Sequence, residues 1–133
     1  MKIWDTAGQE QFKSLTKNFY KNSHGVVICY DVSNQKSFEK IQEWVNSIAD
    51  NASTNIKMVL VGNKIDLTRE VTKDEGKKLA ENYKIPFFET SAKTDEGINE
   101  CFRKLISDII HEFKPNESIK LDTKAEEKKG CLC

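Results

Sequence analysis

Apolar residues recur along this chain in two rhythms. Residues 26–30 (Val-Val-Ile-Cys-Tyr) and 58–61 (Met-Val-Leu-Val) are short, β-branched apolar runs. Runs of that kind read as strands buried on both faces of a parallel sheet. Residues 86–90 form a weaker strand candidate, and residues 2–5 read as the end of another. Between the strands the spacing changes to three and four. Phe38, Ile41, Trp44, Val45 and Ile48 share one helical face, and Ile98, Phe102, Leu105, Ile109 and Phe113 mark a long final helix that Pro115 stops. Thr72 followed by Glu75 is a capping-box signature opening a helix to about Tyr83. Gly76 inside that helix costs about 1 kcal/mol relative to Ala. Alternating strands and helices predict an α/β domain with a mostly parallel sheet.

After Pro115 the pattern fails. Residues 114–130 hold five lysines and four acids, a net charge of +1, with few apolar side chains. Such a segment buries too little surface to offset its ordering entropy, so it reads as a flexible tail. The expected division is a domain over residues 1–113 and a tail over 114–133.

The length of 133 residues suits one core. Lys and Arg number 21 and so do Asp and Glu, which argues against a general nucleic-acid binder. No apolar run approaches the roughly 18 residues of a membrane span, and the first residues lack the apolar stretch of a signal peptide. Four cysteines are too few and too scattered for a disulfide framework.

In open α/β sheets, ligands bind at the carboxyl ends of the strands. Three segments placed there carry unusual residues: 4–10 (Trp-Asp-Thr-Ala-Gly-Gln-Glu), 62–66 (Gly-Asn-Lys-Ile-Asp) and 90–93 (Thr-Ser-Ala-Lys). An aspartate at a strand end followed three residues later by glycine offers a carboxylate for hydrated Mg²⁺ and a backbone N–H for a phosphate. The Asp66 carboxylate can accept two parallel hydrogen bonds, which suits one edge of a purine. Lys64 and Lys93 have aliphatic stems able to cover the faces of a flat base. Each motif alone is ordinary loop chemistry. Three in order, each at a strand end, rarely agree by chance.

The chain resembles a small GTPase of the Ras superfamily, specifically the Rab family. The resemblance rests on WDTAGQE at 4–10, NKID at 63–66, ETSAK at 89–93, the stretch FKSLTKNFYKNSHGVVICYDVS at 12–33 and a terminal Cys-x-Cys. It implies a P-loop NTPase-type, Ras-like three-layer sandwich that binds GTP or GDP with Mg²⁺. By resemblance, Asp5 helps hold Mg²⁺ through water, the Gly8 amide senses the γ-phosphate and Gln9 orients the attacking water. That last role is the one phosphoryl-transfer chemistry assigns to this GTPase class as its worked example. Asp66 would read the guanine edge, Asn63 brace the loop and Lys64 cover the base. Ser91, Ala92 and Lys93 would complete the pocket, with the Ala92 amide reaching the guanine oxygen. A carboxylate matched to guanine rejects adenine by roughly 10⁴-fold. Residues 10–22 match the family's second switch.

The sequence holds no Gly-x-x-x-x-Gly-Lys followed by Ser or Thr, the loop that cradles phosphates. The expectation is a partial domain missing its first strands, first helix and first switch. Three lost phosphate contacts at about 2 kcal/mol each would cost over four decades of affinity. The strands at 2–5 and 26–30 would lose a shared partner, which predicts a destabilised domain.

Cys131 and Cys133 resemble the family's double geranylgeranylation signal, since two lipid chains anchor stably where one does not. The resemblance implies residence on the cytoplasmic face of intracellular membranes, with a cytosolic pool. Implied partners are Rab escort and GDP-dissociation-inhibitor proteins, exchange factors, GTPase-activating proteins and effectors, in the service of vesicle traffic. A second reading is a non-catalytic, prenylated module that competes for those partners or for the prenylation machinery. Cys29, Cys101 and Trp44 read as core residues, and His24 and His111 show no catalytic partners. Phe12, Leu15, Phe19 and Tyr20 have helical spacing, and any that are exposed would favour a partner surface.

Overall fold

A computed structural model describes residues 2–5, 19–52 and 55–112. Its centre is a strand, β2 (Lys57–Asn63), covered on both sides as its apolar run requires. Side chains alternate across a strand, and Leu60 enters one core cluster while Val59 and Val61 enter another. β1 (Gly25–Asp31) and β3 (Phe87–Thr90) flank it, both parallel to it, in the order β1-β2-β3. Parallel neighbours require crossovers, and helices supply them.

On one face pack α1 (Gln35–Glu39), α2 (Ile41–Asn51) and α3 (Lys73–Tyr83), and on the other α4 (Ile98–Glu112). Ile41, Val45 and Ile48 of α2 are buried against Ile28, Tyr30 and Leu60. Cys101 and Leu105 of α4 are buried against Val59 and Val61. The result is a three-layer α/β arrangement on a parallel sheet, a partial Ras-like fold. Among the described residues no helix is long and apolar enough to cross a membrane.

Four expectations change. The helix read through residues 38–48 is two helices, broken at Lys40, because they answer to different anchors. α1 is capped by the Asn34 side chain and tied to the end of β1 by Ser37, whose hydroxyl accepts from the Asp31 N–H at 3.0 Å. α2 instead lays its apolar face on the sheet.

Residues 2–5 form no strand, since the sheet offers them no ladder partner. Ile3 and Trp4 are 65% and 64% exposed. A groove of about 690 Å³ lies between them and β1, walled by Trp4, Phe19, Val27, Phe102 and Leu105. Residues 2–5 and β1 do not pair with each other.

Cys29 is exposed and not a core residue. α4 packs closely on the beginning of β1, where a Cβ on Gly25 would lie 2.7 Å from Ile109 Cδ1, whereas Cys29 opens onto the groove beside Phe102. Trp44 is half-buried, packed against the margin of the larger cluster.

Gly76 is the fourth correction: it is a packing requirement and not merely a helix cost. α3 opens with the full capping box foreseen from Thr72 and Glu75, and Gly76 is buried against the sheet. The tail, the Cys131 and Cys133 pair, Phe12, Leu15 and most of the expected switch segment lie outside the described residues.

Candidate functional site

Parallel register decides what meets at the rim. Asp31, Asn63 and Thr90, each the last residue of its strand, are lateral neighbours across the three strands. The loops leaving from them carry most of the residues singled out above.

Asn63 acts as a brace. Its Oδ1 accepts from Thr90 Oγ1 at 3.0 Å and from the Ala92 N–H at 3.2 Å. Two donors on one atom settle that atom as the amide oxygen. The Ile65 N–H donates to the Thr90 carbonyl at 3.2 Å, so main chain as well as side chain joins the two loops.

Ser91 is fully buried, and its hydroxyl donates to Asp66 Oδ1 at 2.6 Å while accepting from the Thr94 N–H at 3.1 Å. A reciprocal backbone bridge between Ser91 and Glu96 closes the loop. Asp66 itself is exposed at the rim. Ser91's hydrogen bond, with smaller help from its own N–H and the charges of Lys93 and Lys64, holds its carboxyl below the usual carboxylate value despite opposing burial. Asp66 is thus ionised at neutral pH, with a fixed orientation.

Lys64 takes a left-handed backbone, φ 66°, and its ammonium meets Asp31 Oδ2 at 2.6 Å. That hydrogen bond and charge raise the Lys64 pKa above its ordinary value. For Asp31, burial pushes the carboxyl up, but hydrogen bonds from Lys64 and Ser33 outweigh it and leave it lowered.

The structure therefore brings Asn63, Lys64, Asp66, Ser91 and Ala92 together, with exposed Lys93 on the same loop. It does not bring Asp5 to them. Asp5 is exposed and lines the groove beside β1. Among the described residues no group of three or more His, Cys, Asp or Glu is placed to hold a metal ion. Gly8 and Gln9 lie outside the described residues.

Sequence reasoning missed two participants. Thr90 was counted in the 90–93 segment but given no role, yet its hydroxyl holds the brace. Asp31 follows its apolar run as Asn63 follows the next one, so the strand-end rule applied to all three strands would have found it.

The aromatic set divides. Tyr20 is 6% exposed and belongs to the core, whereas Phe19 is 38% exposed. The Phe19 ring meets Trp4 at a centroid distance of 5.3 Å, tilted by 37°. Together with Ile3 they make an exposed apolar patch.

The family model described as the Ras family matches residues 1–111. The chain belongs to the Ras family, in its Rab branch. It is 40% identical over 137 residues to the Ras-related protein RabC of Dictyostelium discoideum, covering 98% of this chain and 70% of that one. It is 45% identical over 112 residues to Rab-13 of Mesocricetus auratus, covering 83% of this chain and 55% of the relative. With human Rab-8B the identity is 41% over 122 residues, covering 89% and 59%. Most of these Rab relatives are therefore matched over little more than half their length.

Proposed function

We propose that this chain carries the base-reading half of a guanine-nucleotide switch of the Rab type. The observation behind the proposal is the paired brace at the rim: Asn63 held by Thr90 and Ala92, and Asp66 held by Ser91. A fixed, ionised carboxylate beside backbone N–H groups suits guanine, which presents two donors on one edge and a carbonyl on the next. Asp66 takes the donors, the Ala92 N–H, which donates to Asn63 Oδ1 at 3.2 Å, would also be shared with the guanine carbonyl, and the stems of Lys64 and Lys93 cover the ring faces. Adenine would set a missing donor against Asp66.

In the working protein the Gln9 amide orients the water that attacks the γ-phosphate, and the Gly8 N–H senses that phosphate. Asp5 would help hold Mg²⁺ through water, and the ion would offset charge on the phosphates. The resulting switch serves vesicle traffic from the cytoplasmic face of intracellular membranes, anchored by geranylgeranyl groups on Cys131 and Cys133. The exposed Trp4–Phe19 patch supports a partner-facing surface for effectors and regulators.

Titration of the 133-residue chain with fluorescent GDP and ADP, with and without Mg²⁺, tests the nucleotide reading. Selective GDP binding is expected, and equal binding of both overturns it. Intact mass of the protein from its own cells tests the anchor, which two prenyl additions support. Two lipids without any guanine-nucleotide binding would instead establish the non-catalytic prenylated module.

A further inference from the structure

We propose that Asp31 is a positioning residue of the base site, holding the Lys64 ammonium so that the lysine stem lies ready across the rim. This rests on the guanine-nucleotide reading above.

The contact is between a fixed partner and a loose one. Lys64 has a side chain 52% exposed, and a four-carbon stem in water samples many rotamers. Asp31 is only 19% exposed and is itself tied down. Its Oδ1 accepts from the Ser33 N–H at 2.8 Å and from the Ser33 hydroxyl at 2.6 Å, leaving Oδ2 for the ammonium at 2.6 Å. Its main-chain N–H donates to the Ser37 hydroxyl at 3.0 Å, which fixes the residue to α1 as well.

The rim geometry directs the lysine the same way. Asn63 is lateral neighbour to both Asp31 and Thr90, and its side chain turns to the β3 loop. Lys64, one residue on, leaves the strand through a left-handed backbone, and its side chain turns back to β1. The nearby alternative, Asp66, already holds the Ser91 hydroxyl through Oδ1. An ammonium anchored at Asp31 draws the stem along the line joining the ends of β1 and β2. The rotamer entropy of that stem is then lost before a base arrives, which tightens binding without a new contact to the ligand. The opposed shifts of the two groups, Asp31 down and Lys64 up, agree with a charged pair.

The test uses the full chain as wild type, Asp31→Ala, Lys64→Met and the double variant. Release of fluorescent GDP should quicken about two- to fivefold in Asp31→Ala, the scale of one largely exposed charge pair. The same factor is expected for the inosine diphosphate analogue, because a stem reads the ring face and not the edge groups. Lys64→Met keeps a linear stem without the charge, so adding Asp31→Ala to it should change nothing. An equal acceleration in the Lys64→Met background overturns the proposal, since Asp31 would then act on the fold and not through the lysine. A readout without nucleotide stands beside these: the Lys64 ammonium NMR signal should be protected from exchange in wild type and lost in Asp31→Ala. A signal like that of a solvated lysine in wild type overturns positioning outright. Tight GDP binding with release unchanged in Asp31→Ala defeats the positioning role alone. Absence of guanine-nucleotide binding in wild type defeats the site reading, and the role with it.

Discussion

The Tyr30 hydroxyl occupies the space that a Cβ on Gly76 would need. The same atom lies 2.8 Å from where a Cβ on Gly62 would sit, so it is enclosed between β2 and α3 by two glycines. The notch seats a large aromatic on the face of the sheet, and its ring meets Phe38 edge-on at 4.9 Å. Glycine here is chosen by a neighbour's volume and not by backbone conformation.

Gly76→Ala should therefore destabilise the domain, although alanine is the better helix former. The new methyl collides with Tyr30 Oη and lies 2.7–2.8 Å from two atoms of the Phe87 ring. Overpacking of this kind costs about 1–3 kcal/mol, more than the roughly 1 kcal/mol of helix propensity gained. A lowered urea midpoint is expected, with partial recovery when Tyr30→Phe is added. An unchanged or raised midpoint would show that the notch relaxes easily.

Tyr30→Phe alone should stabilise. The hydroxyl is buried and has no hydrogen-bond partner among the described residues, and such a group carries a penalty of about 1–3 kcal/mol. Burial pushes the Tyr30 pKa up from 10.0 to about 12, with Glu89 adding to the shift. Between those values the folded state keeps a proton that the unfolded chain has released. Stability is thus full below about pH 10 and falls as pH rises toward 12. Denaturant titrations across that range should show the fall in wild type and a smaller one in Tyr30→Phe.

On the acid side the sign reverses. Asp31, Asp66 and Glu75 all have carboxyls held below their ordinary values of 3.8, 3.8 and 4.5. The unfolded chain takes up protons first as pH falls. These groups stabilise the fold above their ordinary values and cease to do so as pH drops through the folded ones. Asp31→Asn should flatten the acid limb of a stability–pH profile measured from about pH 6 to 2. A limb as steep as wild type's would mean that Asp31 carries none of it.

Ser91→Ala should loosen the base site without unfolding the domain. It removes the 2.6 Å hydrogen bond to Asp66, so the Asp66 carboxyl moves up toward its ordinary value in an NMR titration. Guanine-nucleotide affinity should fall by about tenfold, the scale of one charge-assisted hydrogen bond. An unmoved Asp66 titration would show that the serine does not hold that carboxylate.

Thr72→Ala breaks the capping box, in which Thr72 Oγ1 accepts from the Glu75 N–H at 3.3 Å and Glu75 Oε2 accepts from the Thr72 N–H at 2.8 Å. A loss of about 1 kcal/mol is expected by thermal or urea unfolding. A variant as stable as wild type would place the helix start under tertiary control instead.

The sequence by itself determined the elements whose causes are local. Runs such as Val59-Leu60-Val61 have little choice but a doubly covered strand, and the Thr72–Glu75 pair caps its helix within four residues. The strand-end placement of the 63–66 and 90–93 segments was legible for the same reason, because a parallel sheet brings its carboxyl ends to one rim. Only the tertiary structure decided what depends on register and volume. Thr90 reaches Asn63, and Lys64 reaches Asp31, because the strands end level across the sheet, a fact no local pattern encodes. Gly76 looked like a helix defect until Tyr30 filled the space beside it. Cys29 looked like core because its neighbours are apolar, but it opens onto the groove beside β1. Periodicity is a property of neighbours in sequence, whereas contact belongs to residues dozens of positions apart.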